Sequence, residues 1–167
     1  TRVFKELLQA LNISLENKVI ESFHDHAQDK VERIVQKIKG GQKICLVSDA
    51  GSPVISDPAY PLIRKVVDEG LELMTVPGVS SVVVGLELSG LPPHPFTFHG
   101  FLGRSEGEKK EFFMKLAALG GTHLFFESPH RIEESLGTLA QVLPEAQVSV
   151  MRELTKTFES VYRFIGK

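Results

Sequence analysis

The sequence predicts an α/β fold of two domains, and three observations lead to that prediction. Segments with the pattern of strands alternate with segments with the pattern of helices, which is typical of a mostly parallel sheet. Residues 43–48 form an almost continuous apolar run, as expected of a strand that is covered on both faces. The prolines at positions 92, 93 and 95 interrupt the alternation and predict a linker between the two domains.

The first predicted domain comprises residues 1–91 and begins with a helix. Apolar residues at helical spacing mark the clearest helix, residues 30–39, which ends at Gly40 and Gly41. The other predicted helices are residues 4–11, 60–69 and 80–88. The predicted strands are residues 19–23, 43–48 and 71–76. We expect these strands to form the mostly parallel sheet of the first domain.

The second predicted domain comprises residues 96–167. Its predicted strands are residues 96–101, 122–127, 147–153 and 160–165. Its predicted helices are residues 105–119 and 129–142. Because the last two strands follow each other closely, we expect them to pair as an antiparallel hairpin, so that the sheet of this domain is mixed.

The composition is that of a folded protein without a membrane segment. The chain has 167 residues, of which 42% are hydrophobic, so it can bury a substantial core. Its net charge of -2 gives no global attraction to nucleic acid, although a local basic patch would suffice. No apolar stretch approaches the roughly 20 residues of a membrane span. The single cysteine, Cys45, is expected to be a buried thiol, and its isolation fits a reducing cytoplasm.

Two glycine-containing loops are candidate ligand sites because each follows a predicted strand and precedes a predicted helix. Residues 48–58 are rich in small side chains, which let backbone groups approach a ligand. An equally acceptable interpretation is a plain turn that Ser56 or Asp57 caps. Residues 77–81 precede a helix whose unpaired N–H groups suit a small anion such as a carboxylate, although Ser80 as an ordinary cap explains them too.

Charged residues gather at the ends of two later strands. Glu127, His130 and Arg131 follow the strand that ends at residue 127, where Ser128 is the predicted helix cap. Residues 152–156 (RELTK) follow the next strand. Two such groups at adjacent strand ends would line a polar cleft, and the alternative is a solvated set of ion pairs.

Two further charged patterns favour structural explanations. The segment of His24, Asp25 and His26 suggests metal binding because the two histidines, two residues apart, would share one strand face, but no further ligands have suitable spacing, so no metal is predicted. Lys109, Lys110 and Lys115 share a predicted helix with several glutamates and are expected to form a solvated face.

Together these motifs resemble the tetrapyrrole-methylase superfamily, the class III methyltransferases, and within it the branch that acts on ribosomal RNA. Their order and spacing match nearly the whole chain. The matching segments are SFHDH (22–26), SDAGSPVISDPAYPLI (48–63), VPGVSSVVVGLELSGLP (76–92), FTFHGFLGR (96–104), FFESPHRI (125–132) and RELTKTFE (152–159). Departures from the usual family residues are Ser52, Ala59, Ser81 and Gly103.

The resemblance implies two α/β domains with S-adenosylmethionine in the cleft between them, and a homodimer. The substrate it implies is a cytidine of 16S ribosomal RNA in the small subunit, methylated on its 2′-hydroxyl. The cofactor residues it implies are Asp49, Gly51, Ser52, Pro53, Ile55, Ser80, Ser81, Phe126 and Met151. Alternatives are a methyltransferase that acts on carbon of a tetrapyrrole or on a protein side chain, and a non-catalytic RNA-binding protein.

A ribose hydroxyl is a weak nucleophile, so methyl transfer to it benefits from a general base. Glu127 and Glu153 are the candidates, with Asp49 behind them. Arg152 and Lys156 are expected to hold a phosphate of the RNA or to lower the pKa of the hydroxyl. His130 and Arg131 are expected to orient the RNA backbone.

The resemblance also concerns the two ends of the chain. Members of the family begin with a further strand and a Pro-Ile-Gly-Asn loop, and they continue beyond a segment like residues 162–167. We therefore expect the first strand of the first domain and the C-terminal end of the second to be missing. Residues 1–167 alone are then not expected to be a competent enzyme.

Overall fold

A computed structural model describes residues 2–23 and 28–165. The helices are α1 (Arg2–Ala10), α2 (Gln28–Lys39), α3 (Tyr60–Asp68), α4 (Ser81–Ser89), α5 (Glu106–Ala117) and α6 (Ile132–Val142). The strands are β1 (Phe96–Phe101), β2 (Thr122–Phe126), β3 (Gln147–Arg152) and β4 (Ser160–Ile165). The chain forms two compact units, Thr1–Gly78 and Val79–Lys167.

The first unit is built around the pair of helices α2 and α3. Val31 and Val35 of α2 pack with Leu62 and Val66 of α3, and all four are buried. The two valines lie on the apolar face that the spacing of residues 30–39 predicts. Lys39 pairs with Glu69 at 2.7 Å and thereby joins the ends of the two helices.

The three strands predicted in this unit are absent from the described chain. Residues 19–23, 43–48 and 71–76 carry no ladder of backbone hydrogen bonds, so the prediction of a mostly parallel sheet here is wrong for this structure. An apolar run indicates that a segment can be buried, but it does not provide the neighbouring strand with which a strand must pair. Without that neighbour the runs stay open to solvent, and Cys45 is exposed rather than buried as predicted.

The second unit contains the predicted parallel pairing. β1 and β2 are parallel, with Phe96 opposite Thr122 and Phe98 opposite Leu124, and α5 forms the crossover between them. The register shifts between Phe98 and Phe101, where the strand is irregular. The order of strand, helix and parallel strand is the arrangement that the alternating pattern predicts.

The predicted hairpin is also present, because β3 and β4 pair antiparallel from Gln147 opposite Ile165 to Arg152 opposite Ser160. The two pairs of strands form two separate sheets rather than one mixed sheet. The second unit therefore contains both parallel and antiparallel strand pairs, as predicted. The two pairs do not join into a single mixed sheet. The loop between β3 and β4 is too short for a parallel return, which explains the direction of β4.

Helix α4 packs against the hairpin of β3 and β4. A Cβ placed on Gly85 would lie 3.4 Å from the Sδ of Met151 and 3.8 Å from Leu154, so the absent side chain lets the helix approach closely. The helix thus belongs to the second compact unit, whereas the sequence assigned it to the first. The predicted boundary at residues 91–96 stays a prediction.

The core of the second unit lies between α5, α6 and the strands. Its buried members are Leu102, Phe113, Leu116 and Leu139. Lys109 is fully buried beside them and donates to Glu134 of α6 at 2.9 Å. The predicted solvated face is wrong for Lys109, because the helix turns this side chain towards α6 rather than outward. Lys115 is exposed, as predicted, and pairs with Glu111, while Lys110 is half-buried and pairs with Glu106.

Two sequence predictions lie at the limits of what can be described. His24, Asp25 and His26 fall outside the described residues. Within residues 2–23 and 28–165, no three His, Cys, Asp or Glu side chains come together as metal ligands. Over the same residues, each helix is too short or too polar to cross a lipid bilayer.

Candidate functional site

The segment of residues 48–58, called the first loop below, is folded by contacts of its own. The hydroxyl of Ser48 lies 3.1 Å from the carbonyl oxygen of Ala50 and 3.0 Å from that of Gly51. The amide of Ile55 donates to the carbonyl of Ser52 at 3.3 Å. These bonds turn the chain sharply directly after the apolar run of residues 43–48.

Gly51 shapes the turn of the first loop. Its backbone is left-handed, with φ of 70°, and a Cβ placed there would meet nothing within 4 Å. The peptide groups around Gly51 therefore border open space that a ligand can occupy. Asp49 and Ile55 are exposed nearby, while Ser52 and Pro53 are half-buried.

The first loop does not cap helix α3. The N-cap of that helix is Ala59, which is buried, and no side-chain cap hydrogen bond is formed there within the described chain. The alternative interpretation, in which Ser56 or Asp57 caps the helix, is therefore wrong.

The segment of residues 77–81, called the second loop below, leads into helix α4. Ser80 is the N-cap, with extended backbone at φ of -115° and ψ of 121°, but its side chain makes no capping hydrogen bond. The first N–H groups of α4 are thus left without a side-chain partner within the described chain. Ser80 is half-buried and Ser81 is exposed.

Glu127 follows β2 and is the most buried of the charged residues predicted for the site. Its side chain is 3% exposed. The carboxylate accepts from the amide of Ser128 at 2.7 Å and from the hydroxyl of Ser135 at 2.7 Å. Arg131 completes the set with an ion pair of 2.6 Å. A buried carboxylate with three donors is stable only while these partners remain in place.

Arg131 links the ends of β1 and β2. Its Nη1 donates to the carbonyl of Gly103 at 3.4 Å, and its Nε donates to the hydroxyl of Ser128 at 3.4 Å. Arg131 is also the N-cap of α6, which starts at Ile132, so the prediction of Ser128 as the cap is wrong. The turn of residues 128–131 delays the helix because the amide of Arg131 already donates to the carbonyl of Ser128.

The charged segment after β3 forms a tight loop. Glu153 and Thr155 have left-handed backbones, with φ of 52° and 64°, which is a strained conformation for these residues. The carboxylate of Glu159 accepts from the amide of Thr155 at 2.6 Å and holds the turn. Lys156 pairs with Glu153 at 3.4 Å, and both side chains are largely open to solvent, as is Arg152.

Phe126 and Met151, the two remaining residues predicted to bind the cofactor, belong to the second unit. The ring of Phe126 packs edge-on against Phe98 at 4.8 Å and Phe101 at 5.4 Å. Met151 faces α4 beside Gly85. Both side chains are half-buried, so each combines packing with an accessible surface.

The predicted acceptor residues form two groups rather than one. Glu127 lies with Arg131, while Glu153 lies with Lys156. Among the described residues, no hydrogen bond or ion pair joins one group to the other. Sequence reasoning missed Ser135, which is 3% exposed and binds Glu127. The only feature of the sequence that could have indicated this contact is a serine among the apolar residues of a predicted helix.

Comparison with known proteins assigns the family. The sequence model described as Tetrapyrrole (Corrin/Porphyrin) Methylases matches residues 2–165. The chain belongs to the tetrapyrrole methylase family. This result confirms the resemblance that the motifs indicate. The family match contains both loops and both charged groups described above.

Several tetrapyrrole methylases with closely similar sequences bear the name "Ribosomal RNA small subunit methyltransferase I". The one from Vibrio cholerae is 42% identical over 163 residues, which cover 96% of this chain and 56% of the relative. The one from Halalkalibacterium halodurans is 37% identical over 164 residues, covering 98% and 56%. The one from Bacillus subtilis is 37% identical over 164 residues, covering 98% and 55%. The chain thus spans about half the length of the curated relatives it matches.

Proposed function

We propose that the full-length protein is an S-adenosylmethionine-dependent methyltransferase that acts on the 2′-hydroxyl of a cytidine in 16S ribosomal RNA. The observation that carries this proposal is the family match over residues 2–165, together with three relatives named as ribosomal RNA methyltransferases. The identity to these relatives extends through nearly the whole chain rather than through one motif.

The first and second loops have the features that the cofactor requires. At Gly51 the backbone borders open space, and the N-terminus of α4 at Ser80 offers N–H groups and a positive dipole end to a carboxylate. S-adenosylmethionine supplies a methyl group that its sulfonium activates. The other proposed cofactor residues are Asp49, Ser52, Pro53, Ile55, Ser81, Phe126 and Met151.

The acceptor side is proposed to comprise Glu127, Arg152, Glu153 and Lys156. Arg152 and Lys156 are exposed cations, which suits them to hold RNA phosphate. A carboxylate that removes the ribose proton assists the displacement, and alignment of the hydroxyl with the methyl group supplies much of the rate.

The organisation of the protein follows from the same resemblance. We propose two domains, residues 1–91 and 96–167, that share one cofactor, and a homodimer that works in the cytoplasm on the small ribosomal subunit. Light scattering of the full-length protein measures the oligomeric state, and a monomer at the concentrations used for activity contradicts the dimer.

The decisive experiment gives the full-length protein methyl-labelled S-adenosylmethionine and small ribosomal subunits that lack the modification. We expect one methyl group per subunit, located by mass spectrometry on a cytidine ribose. Calorimetry with S-adenosylhomocysteine accompanies the assay. Binding without transfer to RNA, but with transfer to a tetrapyrrole, favours the porphyrin-type alternative. Absence of binding favours a non-catalytic RNA-binding protein.

Single alanine variants test the acceptor side. Arg152→Ala and Lys156→Ala are expected to keep the affinity for S-adenosylhomocysteine and to lose most methyl transfer, because both residues are proposed to hold the RNA rather than the cofactor. Lys115→Ala is a matched control, since Lys115 is an exposed lysine of the same unit whose partner is Glu111. If both acceptor variants retain near-normal activity, the acceptor site lies elsewhere.

A further inference from the structure

The two candidate general bases, Glu127 and Glu153, differ sharply in their surroundings. Glu127 is 3% exposed, whereas the side chain of Glu153 is 40% exposed. The carboxylate of Glu127 already accepts from three donors, those of Ser128, Ser135 and Arg131. Glu153 has one ion pair, with Lys156 at 3.4 Å, across a solvated surface.

A general base must reach the proton that it removes, either directly or through one water molecule. Glu127 has almost no exposed surface, and its contacts with backbone, hydroxyl and guanidinium groups already occupy three of the roughly four acceptor positions of a carboxylate. Transfer of a ribose proton to it would also break the ion pair with Arg131 inside the protein, which is costly. Glu127 therefore does not suit the role of base.

Glu127 holds the guanidinium of Arg131 through their ion pair. A guanidinium carries five N–H donors, and three of those on Arg131 are directed to Glu127, Ser128 and Gly103. Within the described chain the other two have no partner. The side chain is 26% exposed, so these N–H groups are accessible from solvent. They lie at the start of α6, where the helix dipole adds positive potential.

We propose that Glu127 is a positioning residue that fixes Arg131 to bind a phosphate of the RNA backbone, and that Glu153 is the general base. This inference rests on the proposed function and narrows its acceptor side. Two N–H groups on a planar guanidinium match two oxygens of a phosphate. The three anchors on Glu127, Ser128 and Gly103 keep that plane from rotating, so the phosphate is held in one orientation.

The test measures kcat and KM of the full-length protein for small ribosomal subunits as functions of pH and salt. Glu127→Gln is expected to raise KM about tenfold with kcat nearly unchanged, because Arg131 then loses its fixed orientation toward the phosphate; tenfold corresponds to about 1.4 kcal/mol. The acidic limb of the kcat profile should stay as in the unchanged protein. Glu153→Gln should lower kcat by about 100-fold or more and remove that limb.

Arg131→Gln provides the second arm. It should raise KM as Glu127→Gln does and reduce the slope of log KM against log salt concentration by about 0.7–0.9, the effect of one lost phosphate contact. The double variant should be no worse than Arg131→Gln alone, since Glu127 then has nothing to position. Glu133→Gln is the control, because Glu133 is an exposed glutamate in the first turn of the same helix.

The outcomes separate this inference from the proposed function. Loss of kcat and of the acidic limb in Glu127→Gln, with unchanged KM, would make Glu127 the base and overturn the inference. Additive losses in the double variant, or an unchanged salt slope in Arg131→Gln, would also overturn it. If Glu127→Gln does not fold, Arg131→Gln still decides the matter, since Ser128 and Ser135 continue to bind the carboxylate. If the unchanged protein does not methylate the small ribosomal subunit, that result contradicts the proposed function instead.

Discussion

Arg163 of β4 donates to the carbonyl oxygen of Leu88, which lies 75 residues earlier at the end of helix α4. The bond from Nε is 2.9 Å long, and Nη2 donates to the same oxygen. The last carbonyls of a helix lack partners within the helix and form the negative end of its dipole. A guanidinium therefore stabilises that end both as a hydrogen-bond donor and as a positive charge. The second loop leads into the other end of α4, where Ser80 is the N-cap residue without a capping bond, so the bond from Arg163 helps to fix the helix that follows this loop.

Replacement of Arg163 should therefore affect both stability and cofactor binding. Arg163→Ala is expected to cost about 1–3 kcal/mol of folding free energy, because Leu88 loses its charged donor. It should also weaken binding of S-adenosylhomocysteine and speed amide exchange in residues 81–89. Urea denaturation, calorimetry and exchange measured by mass spectrometry provide the three readouts.

Two variants control this experiment. Arg163→Lys should recover part of the loss because it retains a cationic donor. Lys115→Ala should change stability by less than about 0.5 kcal/mol, as expected of an exposed ion pair. Equal amide exchange in Arg163→Ala and the unchanged protein would show that the packing of α4 against β3 and β4 holds the helix without this bond.

Gly51→Val in the full-length protein is expected to abolish binding of S-adenosylhomocysteine. The valine side chain would enter the open space beside the first loop, and the left-handed backbone would strain it. Gly41→Val is a matched control, because Gly41 also has a left-handed backbone, with φ of 85°, and an open surrounding. Undiminished binding by Gly51→Val, or an equal loss in Gly41→Val, would remove Gly51 from the proposed cofactor site.

The buried pair of Lys109 and Glu134 predicts an asymmetric response to substitution. Glu134→Ala leaves a fully buried ammonium without its only ion-pair partner in the described chain, and should cost about 3 kcal/mol. Lys109→Met keeps the volume of the side chain and leaves Glu134 in solvent, so it should change stability by less than about 1 kcal/mol. Urea denaturation measures both, with Lys110→Met as the control at a half-buried lysine. A larger loss in Lys109→Met than in Glu134→Ala would contradict this account.

The imidazole of His99 predicts a loss of stability in acid. It lies on the strand next to that of His123, with Nε2 of His99 3.1 Å from Nδ1 of His123. Burial first, and then the neighbouring His123, lowers the pKa of His99 below its usual value near 6.5. A histidine with a lowered pKa stays neutral in the folded state. The stability that it contributes is therefore fully present above about pH 6.5. It is lost as the pH falls from there through the pKa of the folded protein.

Denaturation at pH 8 and at pH 5 tests this dependence. His99→Gln should reduce the difference in stability between the two pH values, because glutamine does not titrate. His94→Gln is a suitable control, since His94 is exposed and precedes the same strand. An unchanged difference in His99→Gln would assign the acid sensitivity to other groups.

The elements that sequence reasoning located correctly have strong local signals. Ser105 and Glu108 form a reciprocal cap at the start of α5, as their spacing of three residues allows. The hairpin of β3 and β4 follows from the short connection between two strand-like segments. By contrast, the apolar run of residues 43–48 does not reveal its pairing partner, because a strand depends on a segment that lies far away in sequence.

The candidate site shows the same division. The positions of Glu127 and Glu153 after strands could be predicted from the order of strand and helix patterns. The burial of Glu127 could not, because it depends on Ser135, eight residues later on a helix. Lys109 illustrates the converse case, since a lysine among glutamates has the pattern of a surface helix until the neighbouring helix covers it.

The burial of Lys109 has a chemical consequence. Reagents that acylate amines act on a neutral amine that they can touch, and the ammonium of Lys109 has no exposed surface and is held by Glu134. Lys110, its neighbour in the chain, is open to the same reagents. One peptide thus carries a reactive lysine beside a protected one, and the ratio of their labels records how often α5 and α6 separate.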